Sequence, residues 1–245
     1  GRLRLALSGA QRSDDWNNGG GLFMQVARQG LVFDTLTERA ADGTLHGELA
    51  TAWQSEGGGR EWRFDLRPGV RFHDGAPMRA RDVAVSLARA LGSDDTVAEA
   101  GQRKIVVTLD VADPSLPLRL SEPDYVIRPA DQQDGAIGTG LYRVRHFSTG
   151  QQLIAARVGT HYKDGRAGWF DEVELVSVPR GDIRAQALAE GMIDAADIAA
   201  GQQAPESAFL LAEGCAASRR LAQPAQIGTH RPMDNLRAAE RWWFA

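Results

Sequence analysis

The chain has 245 residues, of which 43% are hydrophobic and 24% are charged, which is typical of a globular protein with a sizeable buried core. Its net charge is −4 at neutral pH. No segment concentrates the arginines, so the sequence argues against a nucleic-acid partner. The single cysteine, Cys215, excludes an intramolecular disulfide and a cysteine-based metal cluster.

No apolar run is long enough to predict a transmembrane helix. The chain opens on GRLRLALSGA, which has neither the basic n-region nor the apolar h-region of a signal peptide. Two interpretations stay open at this point. The protein is cytoplasmic, or it is exported and its signal peptide is not part of this chain.

The first elements are predicted from hydrophobic periodicity and turn residues. Residues 2–8 alternate as R-L-R-L-A-L-S, which predicts a half-buried strand. A polar, glycine-rich loop follows over 13–21, and apolar spacings of three and four then predict a helix over 22–36. A turn is expected at Asp42-Gly43, followed by a short helical piece that ends at Trp53.

The middle of the chain alternates between strand and helix patterns. The predicted elements are strands over 60–67 and 70–72, a helix over 79–91, a strand over 103–110 and a short helix over 113–123. The charged stretch RFDLRPGVRFHDGAPMRARDV is interpreted as scaffold rather than as a ligand site. Its Phe64 and Leu66 alternate with charged residues, as on a strand with one buried face, and Pro68-Gly69 and Asp74-Gly75 form turns.

The last third continues the alternation and indicates an α/β fold. Strands are predicted over 141–147, 151–157 and 170–178, and a helix over 182–190. The chain finishes with an amphipathic segment, DNLRAAERWWFA, over 234–245.

Several of these motifs together resemble the extracytoplasmic solute-binding protein family 5, the peptide, nickel and oligopeptide receptors of ABC importers. The similar segments are LVFDTL, DGTLHGELATAW, EWRFDLRPGVRFHDGAPMRARDVAVSLARAL and the stretch from GTGLYRVRHF to GMIDAADI. They occur in the family's order and run from Leu31 to Ile198, which makes the resemblance specific.

The resemblance implies a periplasmic binding protein type II-like fold, in which two α/β lobes close on a ligand. Family members are longer than this chain, and its last segment resembles the start of their second lobe. We therefore expect a partial fold: lobe I over 1–33 and 138–245, and a family-specific, mixed α+β subdomain over 34–137.

No sequence pattern favours catalysis or a cofactor. A G-x-S-x-G nucleophile turn, an H-E-x-x-H helix and a P-loop are all absent from the sequence. The five histidines are dispersed and lack the spacing of convergent metal ligands, so no metal site is predicted. Nickel carriers of the family have an arginine where this chain has SEPDY, with Glu122, which disfavours nickel as the solute.

For the ligand, the resemblance implies a peptide or a similar small polar solute, delivered to an ABC permease from the periplasm. The residues expected to face it lie on loops at the cleft side of the family fold. They are Trp16, Asn17, Asn18, Phe23, Met24, Glu122 and Tyr125.

A second hypothesis belongs to another class of protein. A shortened relative that no longer imports would act as an interaction or sensor module. Its cleft face would dock a protein partner or a second copy of the chain, giving a homodimer.

Overall fold

The computed structural model describes residues 1–40, 43–199, 209–213 and 218–222. Within these ranges the chain forms thirteen strands. In chain order they are β1 Arg2–Leu7, β2 Thr37–Arg39, β3 Leu45–Gly47, β4 Ala50–Glu56, β5 Glu61–Leu66, β6 Thr96–Glu99, β7 Lys104–Thr108, β8 Tyr142–Ser148, β9 Gln152–Arg157, β10 Glu172–Ser177, β11 Ala195–Ala199, β12 Phe209–Glu213 and β13 Ser218–Ala222.

The helices of the described ranges are short. They are α1 Leu22–Gln25, a π-helix Val26–Val32, α2 Ala80–Ala90, α3 Leu116–Arg119, a 3-10 helix Pro123–Tyr125 and α4 Gly181–Ala189. None of them is both long and apolar enough to cross a membrane. The amphipathic segment 234–245 and Cys215 lie outside the described residues.

The chain folds into two compact units, and one of them is built from two separate stretches of sequence. Unit 1 holds Gly1–Leu31 and the described residues from Leu141 onward, and unit 2 holds Val32–Gly140. The chain therefore passes from unit 1 to unit 2 between Leu31 and Val32, and returns to unit 1 between Gly140 and Leu141. The assignment of 1–33 and 138–245 to lobe I, and of 34–137 to a family-specific subdomain, stays a prediction.

Unit 1 is organised around a seven-stranded mixed sheet in the order β12-β13-β11-β1-β10-β9-β8. The central strand β1 runs parallel to both of its neighbours, β10 and β11, while the outer pairs are antiparallel. Helix α4 lies against β11, and the apolar side chains between them are almost fully buried. Strand β1 keeps the predicted alternation over its first half, and at its carboxyl end Leu5, Ala6 and Leu7 are all buried, as expected for a strand at a parallel centre.

Unit 2 contains a four-stranded antiparallel sheet, β4-β5-β7-β6, and the hairpin β2-β3. Strand β5 follows the predicted alternation, since Trp62, Phe64 and Leu66 are only 7%, 1% and 4% exposed. Helix α2 packs against β6 and β7 and buries Val83 and Leu87. The predicted strand over 103–110 is found as β7, and the predicted helix over 79–91 as α2.

The helix predicted over 22–36 is wrong in its last four residues. The helical residues end at Val32, and the last helical turns are of the π type. Beyond them the chain is extended, because Leu36 accepts hydrogen bonds from the N–H groups of Glu48 and Ala50, and Asp34 accepts one from Ile127. These tertiary bonds replace the bonds that a longer helix would have made.

Two other local predictions are wrong, and three strands of unit 2 were not predicted. The helical piece ending at Trp53 is the strand β4, which pairs with β5 so that Trp53 lies opposite Phe64. Residues 70–72 do not form a strand, because turns on both sides leave only an isolated bridge between Arg71 and Pro77. The three strands that were not predicted are β2, β3 and β6.

Candidate functional site

The candidate site lies where β1 ends, at the carboxyl edge of the parallel strands of unit 1. In open α/β sheets ligands bind at this edge, beyond the last residue of a central strand. Here the chain leaves β1 through Ser8, forms the loop 9–21 and enters α1. The loop therefore occupies the position at which a binding site is expected on topological grounds.

Two glycines, one at each end of the loop, bring its ends into close backbone contact. A Cβ atom on Gly21 would lie 1.9 Å from the carbonyl oxygen of Gly9, so only glycine allows this approach. Gly9 has φ of +81°, a backbone conformation that favours glycine. The N–H of Phe23 then donates to the carbonyl of Ser8 at 3.3 Å. The segment 9–21 is thus a closed Ω-type loop with a narrow neck.

Within the loop, three of the predicted ligand residues come together. The carboxylate of Asp15 accepts hydrogen bonds from the N–H groups of Asn17 and Asn18, at 2.7 and 2.6 Å, and so forms an Asx turn. The ring of Trp16 contacts the ring of Phe147 on β8, with centroids 4.9 Å apart. The loop is therefore held in shape by its own carboxylate and by the neighbouring hairpin.

The other two predicted residues of unit 1 lie beneath the loop. Phe23 and Met24 have no solvent-accessible surface, and a Cβ on Gly19 would lie 2.6 Å from Met24 Cγ. Their side chains form the floor on which the loop packs. Trp16, Asn17 and Asn18 are the predicted residues of this unit that reach the surface.

The predicted pair in unit 2 lies on a single turn. Glu122 is exposed and precedes the 3-10 helix, and its carbonyl accepts a hydrogen bond from the N–H of Tyr125 at 3.0 Å. Partial burial raises the pKa of the Tyr125 phenol, which is therefore neutral and available as a hydrogen-bond donor at physiological pH. Pro123 fixes the backbone between the two residues.

A buried charged network, which was not predicted from the sequence, lies at the base of the loop. Asp197 of β11 accepts hydrogen bonds from both the N–H and the hydroxyl of Ser8, and it forms an ion pair with Arg184 of α4. The signal in the sequence was weak: an aspartate within the apolar strand pattern of GMIDAADI. In the described ranges, no group of three or more His, Cys, Asp and Glu residues is placed to hold a metal ion.

A second concave surface lies on the four-stranded sheet of unit 2. This groove has a volume of about 460 Å³, and Arg63, Asp65 and Lys104 contribute to its wall. Its charges already have partners: Lys104 Nζ lies 3.1 Å from Asp65, and Arg63 lies 2.8 Å from Glu61. The pairing favours the interpretation of this stretch as scaffold.

The scaffold interpretation predicts small effects for these exposed charges. Lys104→Ala is expected to change the free energy of unfolding by less than about 0.5 kcal/mol, because both partners are half exposed or more. Arg67→Ala, in the same stretch, is expected to cost about 1 kcal/mol, since its guanidinium donates to the backbone carbonyl of Glu48 at 2.7 Å. Urea denaturation checks both variants. A larger loss for Lys104→Ala than for Arg67→Ala contradicts the interpretation.

The fold and the loop define the class of protein. A sheet with a parallel centre, a closed loop at its carboxyl edge and a second α+β unit inserted in the chain form part of a periplasmic-binding-protein fold. The agropinic acid-binding protein AgaA of A. tumefaciens R10 superimposes with a TM-score of 0.72, at 24% identity over 80% of this chain and 44% of its own. The oligopeptide-binding protein AppA of Bacillus subtilis superimposes with a TM-score of 0.69, at 18% identity over 82% of this chain and 44% of its own.

The chain belongs to the bacterial extracellular solute-binding proteins, family 5, whose family model ("family 5 Middle") matches residues 44–212. The predicted family and fold class are thereby confirmed. Curated relatives include the uncharacterized protein YhjP of B. subtilis, 33% identical over 59% of this chain and 27% of its own length. The HTH-type transcriptional regulator SgrR of Salmonella typhi is 32% identical over 78% of this chain and 35% of its own.

A third relative carries the name of a binding protein. The probable D,D-dipeptide-binding periplasmic protein DdpA of Escherichia coli is 26% identical over 62% of this chain and 34% of its own length. The matched segments span about a third of each of these three relatives.

Proposed function

We propose that the chain is the solute-binding component of an ABC importer and takes up a peptide or a similar small polar solute outside the cytoplasm. Membership of the family supports this role, and the closed loop 9–21 at the carboxyl edge of β1 is the observation that carries it. In this proposal Trp16, Asn17 and Asn18 contact the solute, and the buried Phe23 and Met24 support the loop from below. Glu122 and Tyr125 are the corresponding candidates in unit 2.

The chemistry of the loop suits a peptide-like ligand. The Asn17 and Asn18 side-chain amides both donate and accept hydrogen bonds, as peptide groups require, and an indole face packs on apolar side chains. Similarity to DdpA and to the peptide-bound AppA supports the same ligand class. Delivery to an ABC permease at the membrane, and a periplasmic location, follow from this proposed role.

Trp16 offers the sharpest test of the loop. Titration calorimetry with a panel of di- to pentapeptides is expected to give only weak, saturable heats for the wild-type chain, because two lobes close on the ligand in this fold and the chain spans less than half of the solved relatives. Trp16→Ala should weaken binding at least tenfold by removing a packing surface. Trp169→Ala is the matched control, because Trp169 is 45% exposed in the same unit but lies outside the loop. Equal affinities for the two variants contradict the proposed site, and the absence of heat with every peptide contradicts the ligand class.

A second candidate function is that of a solute sensor, in which the same fold regulates a partner or self-associates. The favouring observation is the relative named as a transcriptional regulator, which matches 78% of this chain at 32% identity, against 62% at 26% for DdpA. Size-exclusion chromatography with light scattering separates the two functions. A dimer that forms or dissociates on addition of a peptide supports the sensor, whereas a monomer under both conditions contradicts self-association.

A further inference from the structure

Unit 1 contains a buried ion pair that the ligand loop alone does not explain. The side chains of Arg184 and Asp197 are each only 6% exposed, and Arg184 Nη2 lies 3.2 Å from Asp197 Oδ2. Removing two charges from water is costly unless their remaining donors and acceptors are also satisfied. The partners of this pair therefore indicate what the burial holds in place.

Arg184 joins helix α4 to two strands of the sheet, β11 and β10. Its Nε donates to the backbone carbonyl of Asp197 at 2.7 Å, in the middle of β11. Its Nη1 donates to the carbonyls of Val178 and Pro179, at 2.5 and 3.0 Å, just beyond β10. The guanidinium thus holds both the backbone and the carboxylate of Asp197.

Asp197 in turn holds the end of the central strand. Its Oδ1 accepts the N–H of Ser8 at 2.9 Å and its Oδ2 accepts the Ser8 hydroxyl at 2.6 Å. The last registered pair of β1 and β11 is Ala6 opposite Ala196, so this carboxylate takes over where the backbone ladder stops. Every polar group of Ser8 is engaged, because its carbonyl accepts the N–H of Phe23.

Ser8 is also the residue from which loop 9–21 departs. Its neighbour Gly9 contacts Gly21, so the first and last residues of the loop meet next to Ser8 and form the neck of the loop. We propose that Asp197, fixed by Arg184, is a positioning residue that sets the neck of the loop and thereby the placement of Trp16. This inference rests on the proposed function of the loop, but the geometry of the neck does not depend on which solute binds.

Hydrogen–deuterium exchange of the full chain without solute tests the inference. Ser8→Ala removes one hydrogen bond to a buried carboxylate, and we expect the amides of 9–21 to exchange about tenfold faster. The amides of β9 and β10 are expected to keep their wild-type rates. Ser115→Ala is the matched control, because its hydroxyl also donates to a carboxylate, that of Asp113 at 2.6 Å, but on an exposed turn of unit 2.

Two further variants separate positioning from general stability. Ser8→Thr keeps the hydroxyl and should restore slow exchange of the loop. Asp197→Asn should accelerate the loop more than Ser8→Ala does. Unchanged loop exchange in Ser8→Ala and Asp197→Asn overturns the proposal, as does an equal acceleration throughout unit 1 in Ser8→Ala. Peptide titration is read separately: if the wild-type chain binds no peptide, the proposed function fails while the exchange result still decides the role of Asp197.

Discussion

Gly138→Ala is expected to destabilise unit 2 by about 3 kcal/mol or more, because the added methyl group has no space. A Cβ at this position would lie 2.0 Å from the carbonyl oxygen of Val32 and 2.5 Å from the ring of Phe33. Both contacts are far inside van der Waals distance, and one of them is to backbone that cannot rotate away. Gly138 is buried, and its carbonyl accepts the N–H of His73 at 2.9 Å, so the segment cannot shift without losing that bond.

Gly135→Ala is the matched control for this prediction. It lies three positions earlier on the same segment, and its added Cβ would meet nothing closer than the Ile137 nitrogen at 4.0 Å. The change is expected to be within about 0.5 kcal/mol of wild type. Urea denaturation followed by circular dichroism measures both variants. Similar midpoints for the two alanine variants would mean that the crossing of 32–34 with 138–140 is not close-packed in solution.

Strands with a regular alternation were predictable from the sequence because their periodicity is local. Strand β5 alternates within six residues, and its inward side chains are buried as the pattern indicates. The end of the helix predicted over 22–36 was wrong because long-range contacts, which are not local in sequence, decide the structure there. Asp34 and Thr35 find their partners far along the chain: the Thr139 hydroxyl donates to Asp34 at 2.9 Å, and the carboxylate of Glu48 accepts the N–H of Thr35. Such tertiary bonds leave no trace in a hydrophobic period.

The local features of the candidate site were predictable from the sequence, whereas its long-range contacts were not. The polar, glycine-rich composition of 13–21 predicts a loop, and Asp15 builds an Asx turn from neighbours two and three residues away. The attachment of that loop was invisible to the sequence analysis, because Ser8 and Asp197 are 189 positions apart. Topology, rather than composition, brings the two residues together at the end of the parallel strands.

Asp197→Ala is expected to cost about 3–5 kcal/mol of the free energy of unfolding, because it leaves the buried Arg184 without its counter-charge. Asp194→Ala is the matched control. That carboxylate pairs with Arg4 at 3.0 Å, but the arginine is 37% exposed and water replaces the lost partner, so about 1 kcal/mol is expected. The two aspartates lie three positions apart, and each is paired with an arginine. A larger loss for Asp197→Ala in urea denaturation measures the buried charge together with the bonds to Ser8, and equal losses would show that water reaches Arg184 in the folded protein.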